Sequence, residues 1–432
     1  MPWKHPADVR VAIPSTMSEK ADVIVIGGGV IGVCAAYYLQ KTGRQVTLLE
    51  RSSICSGSSQ GNSGLIVPSH SIPLPTPGTV SQALKWILNP RSPFYVKPRF
   101  DPTLISWLWQ FRKNCTPERM RLGVRTLLKL TRASRDLYEE LINEEKIDCN
   151  YQTTGLLMLY NTKQGYREGI EEGHLMNEHG LPMEEKNAAE LIAMEPCIRS
   201  DIVGGVYYPE DAYLNPSNFV YQLGDRIREK GVTVREGVEV IGFDTNRSHI
   251  NTVVTTAGKY QPNHVVLAAG SWSPSLVKNL RLNLPIQPAK GYSVTFDWDG
   301  PTPKYGLILG EAKVGVNPMG PKLRIAGTLE LAGLDLTINS RRVNAVVQGA
   351  RRYLNGGTGF STDNTWAGLR PTTPDGVPII GRVPAHPNLV IATGHATIGM
   401  TLGPITGKLV SEIVSGHQPS INTPRISPTR FQ

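Results

Sequence analysis

Gly27, Gly29 and Gly32 stand in the spacing G-x-G-x-x-G, and an acidic residue, Glu50, follows 18 positions after the last of them. That arrangement can hold a pyrophosphate. The first glycine permits a tight turn, the second lets backbone approach the phosphates, and the third lets a helix pack closely on a strand. A helix that starts there offers free N–H groups and the positive end of its dipole to an anion. A carboxylate at Glu50 can accept hydrogen bonds from ribose hydroxyls and repels a phosphorylated ribose. The spacing alone is a weak signal, and the surrounding elements decide its meaning.

Ala21–Ile26 reads as a buried strand, Val30–Lys41 as a helix ended by Gly43, and Val46–Glu50 as a second strand. The glycines therefore sit at the turn of a βαβ unit, the context the fingerprint requires. The same run, Val23 to Leu39, has almost the length of a membrane span, but Gly27-Gly28-Gly29 breaks it into strand, turn and helix. FAD and NAD both satisfy the fingerprint. The following loop, SSICSGSSQGNSGL, offers hydroxyls and backbone donors beside a pyrophosphate and ring, and residues 52–80 form a loop of a length that is usually functional. The late segment TGHATIGMTLGP opens a helix whose dipole can stabilise the anionic edge of a reduced flavin. These segments help to choose between the two cofactors, and neither is specific alone.

The chain has 432 residues, enough for two or three domains or two interlocked ones. Forty per cent hydrophobic and 19% charged residues is a globular composition, and 43 Gly with 33 Pro implies many turns. The net charge of +9 suits anionic partners without choosing among them. It is spread along the chain, which argues against nucleic acid. Five cysteines without a C-x-x-C pair argue against structural zinc, an iron–sulfur cluster or a disulfide framework, and no metal is expected. They fit a reducing compartment. Residues 1–20 carry no signal-peptide core and read as a flexible leader, and 417–432 as a flexible tail.

Further along, Asp101-Pro102 caps a helical stretch that runs to about Lys146 with a break near Thr116-Pro117. Strands are expected at Gly155–Tyr160, Gly204–Tyr208, Val232–Arg235 and His264–Ala268, and helices at Asn218–Lys230, Val343–Leu354 and Thr401–Ser415. Residues 286–330 read as an antiparallel sheet, and Trp366–Gly381 as turn-rich. The fold expected is α/β, with a Rossmann-like FAD-binding domain and an interleaved substrate domain on a mainly antiparallel sheet. The FAD-binding part would comprise 21–80, 200–285 and 365–416, and the substrate part 81–199 and 286–364.

The motifs VIGGGVIG with Glu50, SSQGNSGLIVP, PIQPAKGYSVTF, AGLRPTTPDGVPIIGR and TGHATIGMT follow one another in this order. With them the chain resembles the FAD-dependent D-amino acid dehydrogenases of bacteria, within the glycine oxidase/D-amino acid oxidase superfamily. The resemblance covers nearly everything after residue 20, and the AGLRPTTPDG and TGHATIG blocks are its most specific parts. It implies oxidative deamination of a D-amino acid or a cyclic imino acid such as D-proline. By motif, Gly27, Gly29, Val30, Ile31, Gly32, Glu50 and Arg51 would contact the ADP half of FAD. Ser58, Ser59, Ser63, Gly64 and Leu65 would approach the pyrophosphate and ring, and the Val240 backbone the adenine. Ala269, Gly270 and Trp272 would flank the cofactor, and Thr397, Ile398, Gly399, Met400 and Thr401 would lie at its pyrimidine edge. The glycine oxidase branch carries an arginine where this chain has Thr397, which points away from that branch.

A flavin can take a hydride from Cα–H directly, so the protein must hold the carboxylate, align Cα and exclude water; it need not supply a base. Arg370 is the candidate carboxylate clamp, because a guanidinium offers two parallel donors to a carboxylate. Tyr292 is a second candidate for the same carboxylate, against the reading of a half-buried sheet tyrosine. Lys290 reads as a solvated lysine. His395 reads as a loop-fixing residue beside the cofactor, and Asp375 as a turn residue of Pro-Asp-Gly. The electron acceptor expected is a quinone or another carrier. The alternatives are an oxygen-using amino acid, glycine or sarcosine-type oxidase, or the FAD-bearing subunit of a larger complex.

Residues 84–113 mix Trp86, Phe94, Tyr95, Phe100, Trp107, Trp109 and Phe111 with Lys85, Arg91, Lys97, Arg99, Arg112 and Lys113. Aromatic plus basic is an interfacial membrane signature, and a helix pair covering the substrate domain is the plainer reading. The expected location is the cytoplasm, with the cytoplasmic face of the inner membrane as a candidate surface for this segment.

Overall fold

A computed structural model describes residues 19–81, 92–356 and 359–431. Residues 1–18 of the expected leader, and Lys85, Trp86 and Arg91 of the aromatic–basic segment, lie outside the described residues.

The apolar run after Lys20 does form a strand, Glu19–Ile26, which pairs in parallel with Val46–Leu49 on one side and Gly258–Leu267 on the other. Val23–Ile26, Val46–Leu49 and the Val265–Leu267 end of the third strand are buried at every position, as their continuous apolar runs require. Thr233–Arg235 extends the sheet in parallel beyond Val46–Leu49. His386–Thr393 adds in parallel to Gly258–Leu267 and leads back to Ile379–Val383. A meander of Val240–Asn246 and His249–Thr255 completes eight strands.

Helix Val30–Lys41 lies on this sheet and meets helix Gly403–Val414 at very short range. A Cβ at Gly407 would stand 2.5 Å from the Cys34 carbonyl oxygen, so that crossing depends on the missing side chain. The late TGHATIG segment is thereby brought beside the glycine turn at the other end of the sequence.

The second sheet has nine strands and carries the antiparallel stretch foreseen at 286–330. Gln287–Asp297 is its longest strand, second from one edge, flanked by Lys322–Leu331 and by the edge strand Thr365–Thr372. Val314–Met319, Gly306–Leu309 and Leu156–Tyr160 continue it. Gly204–Tyr208 pairs with Leu156–Tyr160, and so belongs to this sheet and not to the first. The strand-like WAGL within the stretch expected to be turn-rich extends to a full strand, Thr365–Thr372, because its partner Gln287–Asp297 is distant in sequence and supplies hydrogen bonds that local chemistry does not announce.

Asp101 caps helix Pro102–Asn114 through the N–H groups of Thr103 and Leu104, and Thr116 caps helix Pro117–Glu145. The break read at Thr116-Pro117 is thus the second cap. Helix Pro102–Asn114 turns Leu104 and Trp107 onto Ala289 and Leu331 of the second sheet. Burying a side chain of that size contributes about 1.5–3 kcal/mol.

The C-terminal stretch is docked, contrary to the flexible tail expected of it. Ile421 and Ile426 are buried, and the Arg430 guanidinium binds the Asp375 carboxylate at 2.8 Å and the Val377 carbonyl at 2.6 Å. Its Pro-rich composition concealed a few well-placed anchors. No helix among the described residues is long and apolar enough to cross a membrane.

Candidate active site

The glycine turn is built as its sequence demands. Gly27 has φ +109°, a conformation L side chains rarely adopt, and its N–H donates to the Leu49 carbonyl. A Cβ on Gly32 would fall 1.8 Å from the Gly27 carbonyl oxygen, so helix and turn touch with nothing between them. Gly29 is the extended residue from which the helix starts, and the Val30 N–H donates to Ser59 Oγ at 2.9 Å. Glu50 closes the same corner: its Oε2 accepts from the Gly28 N–H at 2.7 Å and its Oε1 from the Ser52 N–H at 2.9 Å.

Around Glu50 the chain gathers the other residues expected at the ADP half. Arg51 stacks its guanidinium 4.0 Å from the Trp272 ring centroid. The Val238 N–H donates to the Glu50 carbonyl, which brings the start of strand Val240–Asn246 alongside. Ala269 and Gly270 follow directly from strand Gly258–Leu267, next to the glycine turn. The donor set fits an adenosine diphosphate: a carboxylate with spare lone pairs, a glycine cradle at a helix N-terminus, and a hydroxyl (Ser59) at that terminus.

The loop after the second strand runs from this corner to the second sheet. Ser58 Oγ donates to the Leu369 carbonyl at 2.6 Å, one residue before Arg370. Thr401 Oγ1 donates to the Leu65 carbonyl and accepts from the Val67 N–H, both at 3.2 Å, and Tyr138 donates to the Met400 carbonyl. Ser63, Gly64 and Leu65 are thereby joined to Thr397–Thr401, the grouping expected around a flavin ring. Two residues that hold this loop escaped the sequence reading. Arg324 donates to the Gln60 and Asn62 carbonyls at 3.0 and 2.9 Å, and Asn317 donates to Ser63 and Leu214 carbonyls at 2.6 and 2.9 Å. The only trace of them in sequence is a polar side chain inside an otherwise strand-like run. Asn317 is fully buried, and among the described residues its Oδ1 has no partner, an acceptor beside the loop that would meet the ring.

Arg370 pairs with Ala289 and lays its guanidinium over Gly291, where a Cβ would be 2.1 Å from Nη1. Its Nη1 donates to the Thr328 carbonyl at 2.7 Å. Thr328 reaches that position with φ +69°, a strained conformation for a β-branched residue that costs on the order of 1–3 kcal/mol. Among the described residues no carboxylate lies within ion-pairing distance of Arg370. Burial pushes this guanidinium down to about 10, which still leaves it charged at neutral pH. A desolvated cation without an anion is costly, and a ligand carboxylate would relieve it.

Tyr292 does not converge with Arg370. It alternates with Gly291 and points to the opposite face, where its hydroxyl donates to Glu330 Oε2 at 2.8 Å. The same face carries Lys290, which is buried: its Nζ donates to the Thr337 carbonyl at 2.9 Å and lies 3.4 Å from Asp335 and 3.7 Å from Glu330. Both the substrate role of Tyr292 and the solvated reading of Lys290 give way to one buried polar network, completed by Arg342. The parity of the strand decides this. Tyr292→Phe is therefore expected to leave kcat/KM within about threefold and to cost about 1–3 kcal/mol of stability through the lost donor to Glu330. Thermal unfolding and steady-state rates check it; a large rate loss at unchanged stability would return the hydroxyl to the substrate.

His395 is buried and shares a 2.9 Å hydrogen bond with Thr406 of helix Gly403–Val414. Burial pushes its imidazole down to about 3, so it is neutral and ties the segment to the helix. Asp375 accepts from the Val377 N–H at 3.2 Å, as a turn aspartate does.

A family model described as FAD dependent oxidoreductase, DAO, matches residues 22–413. A D-amino acid dehydrogenase of Paramagnetospirillum magneticum is 34% identical over 416 residues, which cover 95% of this chain and 98% of that protein. A D-amino acid dehydrogenase of Xanthobacter autotrophicus is 32% identical, covering 95% and 99%. Among solved structures, glycine oxidase from Geobacillus kaustophilus superposes with a TM-score of 0.76 at 22% identity over 96% of this chain and 99% of that one. L-proline dehydrogenase from P. horikoshii gives 0.74 at 20% identity, covering 96% and 98%. At those identities the structural likenesses speak for the fold alone.

Proposed function

This chain belongs to the DAO family of FAD-dependent oxidoreductases, and from that premise we propose that it oxidises the Cα–N bond of a D-amino acid, or of a cyclic imino acid such as D-proline. The observation that carries the reading is Arg370, a desolvated guanidinium with a carbonyl partner and, among the described residues, no anion. The near-full-length likeness to proteins named D-amino acid dehydrogenases supports the substrate class.

FAD, when bound, supplies the acceptor for the hydride that leaves Cα. We assign its ADP half to Gly27, Gly29, Val30, Ile31, Gly32, Glu50, Arg51, Val240, Ala269, Gly270 and Trp272. Ser58, Ser59, Ser63, Gly64, Leu65 and Thr397–Thr401 are assigned to the pyrophosphate and ring. The first sheet with its helices is then the cofactor-binding part, and the second sheet the substrate part. Arg370 holds the substrate carboxylate by two parallel hydrogen bonds and fixes the orientation of Cα. The tethers from Ser58 and Ser271 to the Leu369 carbonyl keep the arginine's strand against the cofactor loop. No residue is assigned as a base: the substrate amine enters neutral, and His395 is occupied by Thr406. The imine formed leaves the site and hydrolyses to a 2-oxo acid and ammonia, or persists as a cyclic imine. Electrons pass onward to a quinone or another carrier, with the aromatic–basic segment around residues 94–113 at a membrane face.

Purified protein turned over with D-amino acids and a soluble quinone analogue should release 2-oxo acid and ammonia with little hydrogen peroxide. Stoichiometric peroxide with air as sole acceptor would make it an oxidase, and turnover of L-amino acids alone would reject the stereochemical assignment.

A further inference from the structure

We infer that the outer face of helix Pro102–Asn114, together with the loop at residues 334–338, is a docking surface for an anionic lipid bilayer. This deepens the membrane reading above by naming the surface, and rests on that reading only for the link to a lipid-borne acceptor.

Nine large hydrophobic side chains are exposed among the described residues; five fall in these two segments and a sixth, Phe100, stands two residues before the helix. Phe100 is 93% exposed, Trp109 58% and Ile105 55%; Ile338, Leu336 and Leu334 are 52%, 46% and 42% exposed. The helix has already spent one apolar face on the protein, since Leu104 and Trp107 are buried against Ala289 and Leu331. Ile105 and Trp109, four residues apart, make a second stripe on the side away from that core. A helix apolar on both sides either lies between two protein layers or meets another apolar phase.

The two segments are fastened into one surface. Lys97 forms an ion pair with Asp335 at 3.6 Å, Arg99 donates to the Leu331 carbonyl at 2.8 Å, and buried Lys290 grips the loop through the Thr337 carbonyl. The loop carrying Leu334, Leu336 and Ile338 is therefore held beside Phe100.

The charge around this surface selects the occupant. Arg112, Lys113 and Arg341 are exposed, and among the described residues none of them makes an ion pair, whereas the nearby acids Asp101 and Asp335 are already paired with Arg99, Lys97 and Lys290. Lys113 stands 3.3 Å from the Trp109 ring centroid, a cation held at the edge of the apolar stripe. Aromatic and aliphatic side chains ringed by unpaired cations match the interface of an anionic bilayer: the apolar tips enter the acyl boundary and the cations meet lipid phosphates. The same helix reaches the substrate strand, because Trp107 Nε1 donates to the Thr372 carbonyl at 3.0 Å, two residues past Arg370. Docking there would set the catalytic sheet against the lipid phase.

The test is co-flotation of the FAD-loaded protein with vesicles. Vesicles of equal parts phosphatidylcholine and phosphatidylglycerol should carry it at low salt, and pure phosphatidylcholine should carry much less. The triple variant Phe100→Ser, Trp109→Ser, Leu336→Ser should lower partitioning by about tenfold or more, and Arg112→Glu with Lys113→Glu should remove the preference for anionic lipid. All variants should keep FAD content and turnover with a soluble dye. Failure of the wild type to float, or flotation of the triple variant equal to it, overturns the surface. Loss of amino acid turnover with flotation intact would instead overturn the proposed reaction, so the two failures are distinguishable.

Discussion

Replacing Arg370 by alanine is expected to lower kcat/KM for the amino acid by about two to four powers of ten while the protein retains its FAD. Truncating one partner of a desolvated, hydrogen-bonded charge pair commonly costs about 2–5 kcal/mol, and each 1.4 kcal/mol is about a factor of ten. The structure sharpens the expectation. The guanidinium is held over Gly291 and tethered to the Thr328 carbonyl, so it is oriented before a ligand arrives. Arg370→Lys should recover only part of the loss, because an ammonium lacks the planar fork. Gly291→Ala offers a second approach: its methyl would displace the guanidinium without removing its charge, and should depress the same parameter with intact flavin. Near-wild-type rates for Arg370→Ala would place the carboxylate clamp elsewhere, and loss of flavin or of folding would make the arginine structural.

The glycine turn should give the second large effect, in two separable forms. Gly29→Val should fold but purify without colour. Its Cβ meets only Ser59 Oγ at 3.3 Å, so the protein tolerates it, whereas the branched side chain stands where the pyrophosphate must approach. Gly32→Val should lose both FAD and stability. Its Cβ would lie 1.8 Å from a backbone carbonyl that cannot yield, and overpacking of that kind costs about 1–3 kcal/mol or more. Flavin absorbance and thermal midpoints measure the two. A Gly29→Val protein that remains yellow would remove the pyrophosphate from this turn, and uptake of NADH by a colourless wild type would reject FAD itself.

What the sequence disclosed was mostly local. The strand, glycine turn and helix at residues 21–41 are encoded by neighbours, and the structure differs there by two residues at the strand's start. Glu50 was legible because its distance from the turn is fixed by one helix and one strand. What it withheld depends on pairings between distant segments. Tyr292 and Arg370 both lie in strands of one sheet, but only the register of Gln287–Asp297 against Thr365–Thr372 shows that they face opposite ways. Lys290 could not be read as buried until Glu330, Asp335 and Arg342 were brought to it. Arg324 and Asn317, which pin the cofactor loop, have their partners more than 100 residues away or beyond. The docked C-terminus follows the same logic, since Arg430 finds Asp375 across 55 residues.

The account is tested most directly by mixing the purified, FAD-loaded protein with single amino acids in the absence of oxygen and following the visible flavin band. D-amino acids, or D-proline, should bleach it in one turnover, the L-enantiomers should not, and Arg370→Ala should stay yellow at the concentrations that bleach the wild type. A fully flavinylated wild type that no D-amino or D-imino acid bleaches, or an Arg370→Ala protein that bleaches as readily as the wild type, would contradict it.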